Sequence, residues 1–227
     1  MIYGDTGRFP MYIQATIRSV KYWLRLLKME NRRYPRKVYQ MMLGSSNYTW
    51  AGKIRDVLFD YDLHYVWAEQ SVQEEKSFLK ELRDRMILRY KESWYNKLHR
   101  SERCALYRIF KNEHDIESYL FDLDKSIFRD LYARFRFGVS ELYTHRYRYM
   151  NNENNSNVCP SCNEADEDEY HFLFLCPAYE DIRMKYLEFC FGLGVQECMC
   201  LCFSSNDKER IRQVSSYVFH ALKRRSL

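Results

Sequence analysis

Residues 159–176 read CPSCNEADEDEYHFLFLC, a Cys-x2-Cys-x8-His-x4-Cys array. Cys159, Cys162, His171 and Cys176 offer three thiolates and one imidazole within 18 residues. Three sulfurs and one ring nitrogen form the ligand set of a closed, four-coordinate structural zinc site, with no position left for a catalytic water. Two cysteines separated by two residues, with Pro160 stiffening the turn, direct both sulfurs towards one ion. The competing reading is a set of reduced core cysteines. Spacing favours one bound Zn2+.

Working outward, the chain is 227 residues long, enough for one or two domains with a real core. It has only 7 glycines and 4 prolines, so few breakers interrupt helices. The expected fold is all-α: an irregular multi-helix body over residues 1–150 and a small CCHC zinc-knuckle module with flanking helices over 151–227. The polar run Asn151–Asn157 separates the two. No apolar leader and no run of 18 apolar residues occurs, which points away from export and membranes. The 8 cysteines then suit a reducing compartment and metal ligation better than disulfides, so an intracellular site, nuclear or cytoplasmic, is expected.

Ile13, Ile17, Val20, Leu24 and Leu27 recur at helical steps over about 10–28, leaving Arg18, Lys21, Arg25 and Lys28 as a basic ridge. Further helices are predicted over 34–42, from a Thr49 cap, over 72–99, and from a Ser101 cap with Leu106, Ile109 and Phe110 inside. Residues 44–47 read as a loop. Ser126 begins a helix that Gly138 ends, and another follows Pro177. The last is capped by Asn206, with Glu209 completing a capping box and Ile211, Val214, Val218 and Leu222 inside.

Charge is uneven. Residues 1–57 hold 11 Lys or Arg against Asp5, Glu30 and Asp56, whereas residues 151–190 hold nine acids against Arg183 and Lys185. Phosphate contacts should therefore come from the helices, since the acidic loop Glu164–Glu169 would repel a phosphate backbone. The run YTHRYRYM at Tyr143–Met150 interleaves rings and cations as single-strand binders do, although 20 tyrosines in the chain make enrichment by chance a competitor. For the ridge, a solvated helix face is the competing reading. Cys198, Cys200 and Cys202 read as a buried apolar segment. With Cys190 they form the alternative, a four-cysteine second site, for which one-residue spacing is poor. Cys104 reads as a small core residue and His145 as no required ligand.

The array, followed by Pro177 and containing His171-Phe172-Leu173, resembles the zinc knuckle near the C-terminus of reverse transcriptases from LINE-type retrotransposons. Two further segments carry the resemblance: Phe135-Arg136-Phe137-Gly138-Val139-Ser140-Glu141-Leu142 with His145, Arg146 and Tyr149, and Tyr3-Gly4-Asp5-Thr6-Gly7-Arg8-Phe9-Pro10 with Lys21-Tyr22-Trp23-Leu24. It spans nearly the whole chain, but only the region that follows the polymerase. No Tyr-x-Asp-Asp tetrapeptide occurs, Asp122 and Asp124 sit in no palm-like context, and no endonuclease constellation can be traced. The resemblance thus implies a terminal fragment without enzymatic activity that helps hold element RNA and target DNA, with a reverse transcriptase core as a further partner. Arg134, Arg136, Arg146 and Arg148 would contact the backbone near the knuckle, with Tyr147 and Tyr149 beside them and Arg18, Lys21, Arg25 and Lys28 as a second stripe. The alternative is a structural or interaction remnant that packs on a polymerase or self-associates. No membrane or small-molecule partner is implied.

Overall fold

The computed structural model describes residues 1–44, 49–147, 157–204 and 206–226. Helices dominate, and among the described residues extended pairing is limited to two isolated antiparallel bridges, Thr6 with Ile116 and Val158 with Asp166. The chain divides into two compact units, one made of residues 1–8 with 96–227 and the other of residues 9–95. We call them the composite and the inserted unit.

This division departs from the expected boundary near residue 150. In the composite unit the knuckle segment does not stand apart from residues 96–147. The Tyr217 hydroxyl donates to the Phe172 carbonyl at 2.6 Å, and the ring of Phe172 meets those of Phe135 and Tyr179 at 5.3 and 5.0 Å.

The composite unit opens with α1 (Ile2–Thr6). Gly7 ends it at φ 60°, and a Cβ there would lie 3.0 Å from the Ile116 nitrogen. Only glycine permits both that backbone and that approach.

The inserted unit contains α2 (Met11–Leu27), α3 (Tyr34–Leu43), α4 (Trp50–Asp60), α5 (His64–Glu69) and the first part of α6 (Glu75–Arg100), whose remainder belongs to the composite unit. Ile13, Val20 and Leu24 are buried as the periodicity predicts, while Ile17 and Leu27 are only half-buried because Trp23 and Leu26 share the inner face. Pro35 occupies the first turn of α3, where a missing N–H costs nothing, and the Thr49 hydroxyl caps α4 by accepting from the Gly52 N–H at 3.1 Å. Phe78, Leu82 and Met86, at i, i+4 and i+8 on α6, close the core against Leu58 and Val66.

One polar thread crosses that core. The Trp23 indole donates to the Tyr39 hydroxyl (2.9 Å), which donates to the Gln70 side-chain carbonyl (2.6 Å), while the Gln70 amide donates to the Trp67 carbonyl (2.6 Å). Each link of that thread has its partner. Residues 45–48, which include most of the predicted loop, lie outside the described residues.

α6 matches the long helix predicted over 72–99, and the composite unit then departs from the helix predicted from Ser101. A 3-10 turn at Glu102–Cys104 leads to the single turn of α7 (Tyr107–Phe110), and Ser101 makes no side-chain cap bond. Next come α8 (Tyr119–Asp122), α9 (Ser126–Arg136) and α10 (Tyr143–Tyr147). Gly138 terminates α9 as predicted, at φ 61°. Beyond a π-helical turn at His171–Leu175 lie α11 (Glu180–Tyr186), α12 (Val195–Phe203) and α13 (Lys208–Arg225).

α13 is the centre of the unit, packed on α8, α9, α11 and α12. It buries Ile211, Val214, Tyr217, Val218 and Ala221, so Leu222 falls to the rim of the expected stripe. Its cap is Asp207 rather than Asn206: one Asp207 oxygen accepts from the Glu209 and Arg210 N–H groups at 2.9 and 3.4 Å. Asn206 instead accepts from the Ser118 hydroxyl at 3.4 Å.

A charged cluster lies inside the same unit. Asp5 accepts from Arg136 Nε (3.1 Å) and from the hydroxyls of Tyr107 (2.6 Å) and Tyr119 (3.0 Å). Arg136 Nη2 also pairs with Glu117 at 3.2 Å, and Glu117 takes Lys111 in turn. Burial pushes Tyr107 and Tyr119 up, with the Asp5 charge adding to it, so both hydroxyls stay protonated as donors.

Candidate metal centre

Cys159, Cys162, His171 and Cys176 meet in one cluster, with their donor atoms all within 4.8 Å of one another. Cys159 and Cys176 sulfurs are 3.8 Å apart, and Cys162 Sγ is 3.3 Å from His171 Nε2. A disulfide requires about 2.05 Å, so these are separate thiols. A tetrahedral ion with metal–sulfur bonds of about 2.3 Å would set its sulfurs roughly 3.8 Å apart. The four groups fit a single metal ion.

The local backbone explains the convergence. Asn163 adopts φ 59°, its N–H donating to the Cys159 carbonyl at 2.9 Å, and the Cys159 N–H donates to the Ala165 carbonyl at 2.8 Å. This tight turn brings Cys162 back beside Cys159. On the other side, the Asp168 carboxylate accepts from the His171 N–H at 2.7 Å and starts the π-helical turn. That turn closes with the Cys176 N–H on the His171 carbonyl at 2.7 Å, the i to i+5 bond of a π-helix. The wide turn swings Cys176 onto the imidazole's side. Arg183 then fixes its exit, donating to the carbonyls of Leu173 (3.0 Å) and Cys176 (2.7 Å).

Cys159, His171 and Cys176 are buried, and Cys162 is partly open, which gives an ion its route in. Burial pushes the Cys159 thiol up and the Cys176 thiol up to about 12. For Cys162 burial acts the same way but is outweighed by the Glu164 N–H and by the neighbouring thiols, leaving it below its ordinary value. A divalent cation reverses the balance, since a coordinated thiol is deprotonated outright.

Two polar braces hold this centre, and neither was legible in the sequence. Glu167, fully buried, is gripped by Arg225 through two nitrogens, one at 2.8 Å, and accepts from the Tyr143 N–H at 2.9 Å. Glu169 pairs with His145 Nε2, while His145 Nδ1 lies 3.0 Å from the Ser140 N–H and 2.7 Å from its hydroxyl. A backbone donor on Nδ1 fixes the proton on Nε2, facing the carboxylate. The Ser140–His145–Glu169 order superficially resembles a hydrolytic triad, but the Ser140 hydroxyl is buried and the array serves as a clamp. The acidic loop is thus only partly a solvent-facing repeller. Glu167 and Glu169 point inward at a two-residue period, while Glu164 and Asp166 are exposed.

The nucleic-acid expectations divide. Arg18, Lys21, Arg25 and Lys28 are exposed along α2, Lys28 being paired with Glu75 at 2.7 Å. Arg134 is partly exposed and neutralised by Asp130 at 2.9 Å, with Glu141 further off at 3.8 Å. Arg136 is corrected: its side chain is fully buried against Asp5, Glu117 and three aromatic rings, and no phosphate can reach it. Arg146 and Tyr147 lie in α10, and Arg148 and Tyr149 lie outside the described residues.

Cys190, Cys198 and Cys202 are buried where α12 meets its preceding turn, Cys190 and Cys202 sulfurs 3.9 Å apart, while Cys198 donates to the Cys190 carbonyl at 3.3 Å. Among the described residues they form no metal-holding group, and no helix is long and apolar enough to cross a membrane. No family model, no curated protein and no solved structure matches this chain.

Proposed function

We propose that the chain is a zinc-stabilised nucleic-acid-binding module, similar in organisation to the C-terminal part of a LINE-type reverse transcriptase and acting on RNA or DNA without a polymerase or endonuclease site of its own. The carrying observation is the segregation of charge. The inserted unit has 16 Lys or Arg against 10 Asp or Glu, whereas the composite unit has 20 against 21. Within the inserted unit, Arg18, Lys21 and Arg25 project from one exposed face of α2 and have no ion-pair partner among the described residues. A one-sided stripe of unpaired cations is the electrostatic footprint of a polyanion contact. Zinc is the ion of choice because three thiolates with one imidazole suit it in a closed structural site. Its role is to fix the fold.

The test is fluorescence anisotropy of short labelled RNA and DNA against the zinc-loaded chain over a salt series. Binding that weakens steeply with salt, and that Arg18→Glu with Arg25→Glu reduces, supports the reading. Affinity that stays flat from low to moderate salt sinks it.

A second reading is an interaction remnant that packs on a polymerase core or on itself. Met11, Tyr34 and Met41 in the inserted unit are 84%, 81% and 73% exposed, an apolar display that a partner would cover. Self-association unaffected by reversing the α2 charges favours this reading.

A further inference from the structure

A surface cavity of about 330 Å³ opens between α11 and α13 in the composite unit. Lys185, Lys223 and Arg224 line it, opposed by the single carboxylate of Asp181. That carboxylate is already neutralised: Arg224 grips both its oxygens, one at 2.8 Å, and also donates to the Ala178 carbonyl at 2.9 Å. Lys185 and Lys223 have no carboxylate within ion-pair distance among the described residues. Beside them the rings of Tyr186 and His220 stack nearly parallel, with centroids 5.5 Å apart and planes inclined by 7°. His220 is exposed. The cavity therefore combines two ammonium groups that lack a carboxylate partner, Lys185 lying 5.1 Å from the centre of the Tyr186 ring, with a flat aromatic wall whose exposed end is His220.

Basic residues in the last turn of a helix offset its dipole, which accounts for Lys223 on α13 and for Lys185 on α11. The dipole does not account for two helix ends converging on one cavity, nor for a wall made of a stacked pair of rings. Rings plus cations recognise a ligand that carries both a planar base and a phosphate, and the base must be free of its pairing partner to reach the rings.

We propose that this cavity is a subsite for one nucleotide of a single strand, with its phosphate between Lys185 and Lys223 and its base continuing the Tyr186–His220 stack. The inference rests on the nucleic-acid reading above and adds a contact site that is separate from the α2 ridge. The anchor of the cavity is continuous with the metal segment, since Arg224 is tied to Ala178, two residues beyond Cys176.

The test uses the full zinc-loaded chain and a labelled 12-nucleotide single-stranded RNA, with a labelled duplex as the second probe. Lys185→Gln with Lys223→Gln should weaken single-strand binding by roughly tenfold, and the salt slope should become shallower by about 1.4, two contacts at about 0.7 each. Lys185→Arg with Lys223→Arg should keep both near wild type. His220→Ala should lower affinity for the single strand by about fivefold or more and leave the duplex unaffected, because only an unpaired base can stack there. All these side chains are exposed or at the rim, so zinc content and thermal transition should stay constant. If the wild type binds steeply with salt while the Gln pair and His220→Ala change nothing, the subsite is overturned and the broader reading stands. If the wild type shows no salt-dependent binding at all, both fall together.

Discussion

The two units solve the problem of a stable interior in opposite ways. The inserted unit has an apolar core, threaded by the Trp23–Tyr39–Gln70 chain, and it wears most of its charge outside. In the composite unit charge lies inside. All ten buried polar or charged residues among those described belong to it, from Asp5 and Arg136 to Glu167, Glu169 and His171. So do all 8 cysteines. A hydrophobic core tolerates small errors of position. A buried ion network does not, because each unmatched group carries its full desolvation cost. The composite unit should therefore depend on single residues and on an ion held by its Cys–His cluster as proposed, and the inserted unit on bulk apolar area.

Metal removal should expose the contrast most strongly. Structural zinc contributes on the order of 10 kcal/mol or more to such modules. All 4 tryptophans, Trp23, Trp50, Trp67 and Trp94, fall in the inserted unit, so their emission is the probe for that unit. Chelation, or Cys176→Ser, should remove the metal and lower far-UV helicity while tryptophan emission holds its native maximum. A chain that keeps its full helicity and thermal transition without metal would refute a structural ion. The pH dependence has a definite sign. The free thiols of Cys159 and Cys176 sit above their ordinary values because of burial, and the ion binds only thiolates. Metal affinity is thus greatest at high pH and falls as pH drops, by up to about a thousandfold per pH unit where all three thiols must be deprotonated for the ion to bind. Metal loading followed by atomic spectroscopy from pH 8 to 5 reads this directly.

Next in size is a matched pair of core substitutions. Asp5→Ala leaves the Arg136 guanidinium buried with only Glu117 as its charged partner, which should cost about 3–5 kcal/mol. Leu82→Ala opens a cavity in the inserted unit and should cost about 2–5 kcal/mol. The magnitudes overlap but the probes do not. Denaturant unfolding watched by tryptophan should shift for Leu82→Ala and hold for Asp5→Ala, whereas circular dichroism should detect both. A tryptophan transition that moves equally for both would mean the units unfold as one.

The same contrast explains what was legible in the sequence. The inserted unit announces itself by periodicity: Ile13, Val20 and Leu24 on α2, and the Thr49 cap, stand where spacing places them. The four candidate metal ligands were legible too, because their chemistry is carried by residue type and interval within 18 residues, and the structure brings them into one cluster. The composite unit's internal partners were not. Asp5 and Arg136 lie 131 positions apart and Glu167 and Arg225 lie 58 apart, and no local pattern links them. Arg136 consequently looked like a surface cation. The division between units was missed for a related reason, since residues 1–8 join a body whose remainder begins at Asn96. The expected helix from Ser101 is broken into short turns, and one of them carries Tyr107, whose partner Asp5 lies 102 positions away where no local pattern could announce it.

The smallest effect compares one helix cap from each unit. Thr49 supplies one bond to α4, and Asp207 supplies two to α13, with a negative charge at the positive end of the helix as well. Each alanine substitution should cost about 1 kcal/mol, with Asp207→Ala the larger of the two. Asn206→Ala, by contrast, should fall within about 0.5 kcal/mol of wild type, because among the described residues its side chain makes only a long contact with Ser118. The ordering is informative beyond its size. α13 is the helix on which α8, α9, α11 and α12 converge, so fraying its first turn should be felt across the composite unit, in hydrogen exchange at α9 as well as at α13. Thr49→Ala should loosen exchange in α4 alone. If Asn206→Ala proved the costlier change, the cap would sit one residue earlier, and the capping box that spacing suggests would be the true start of the helix.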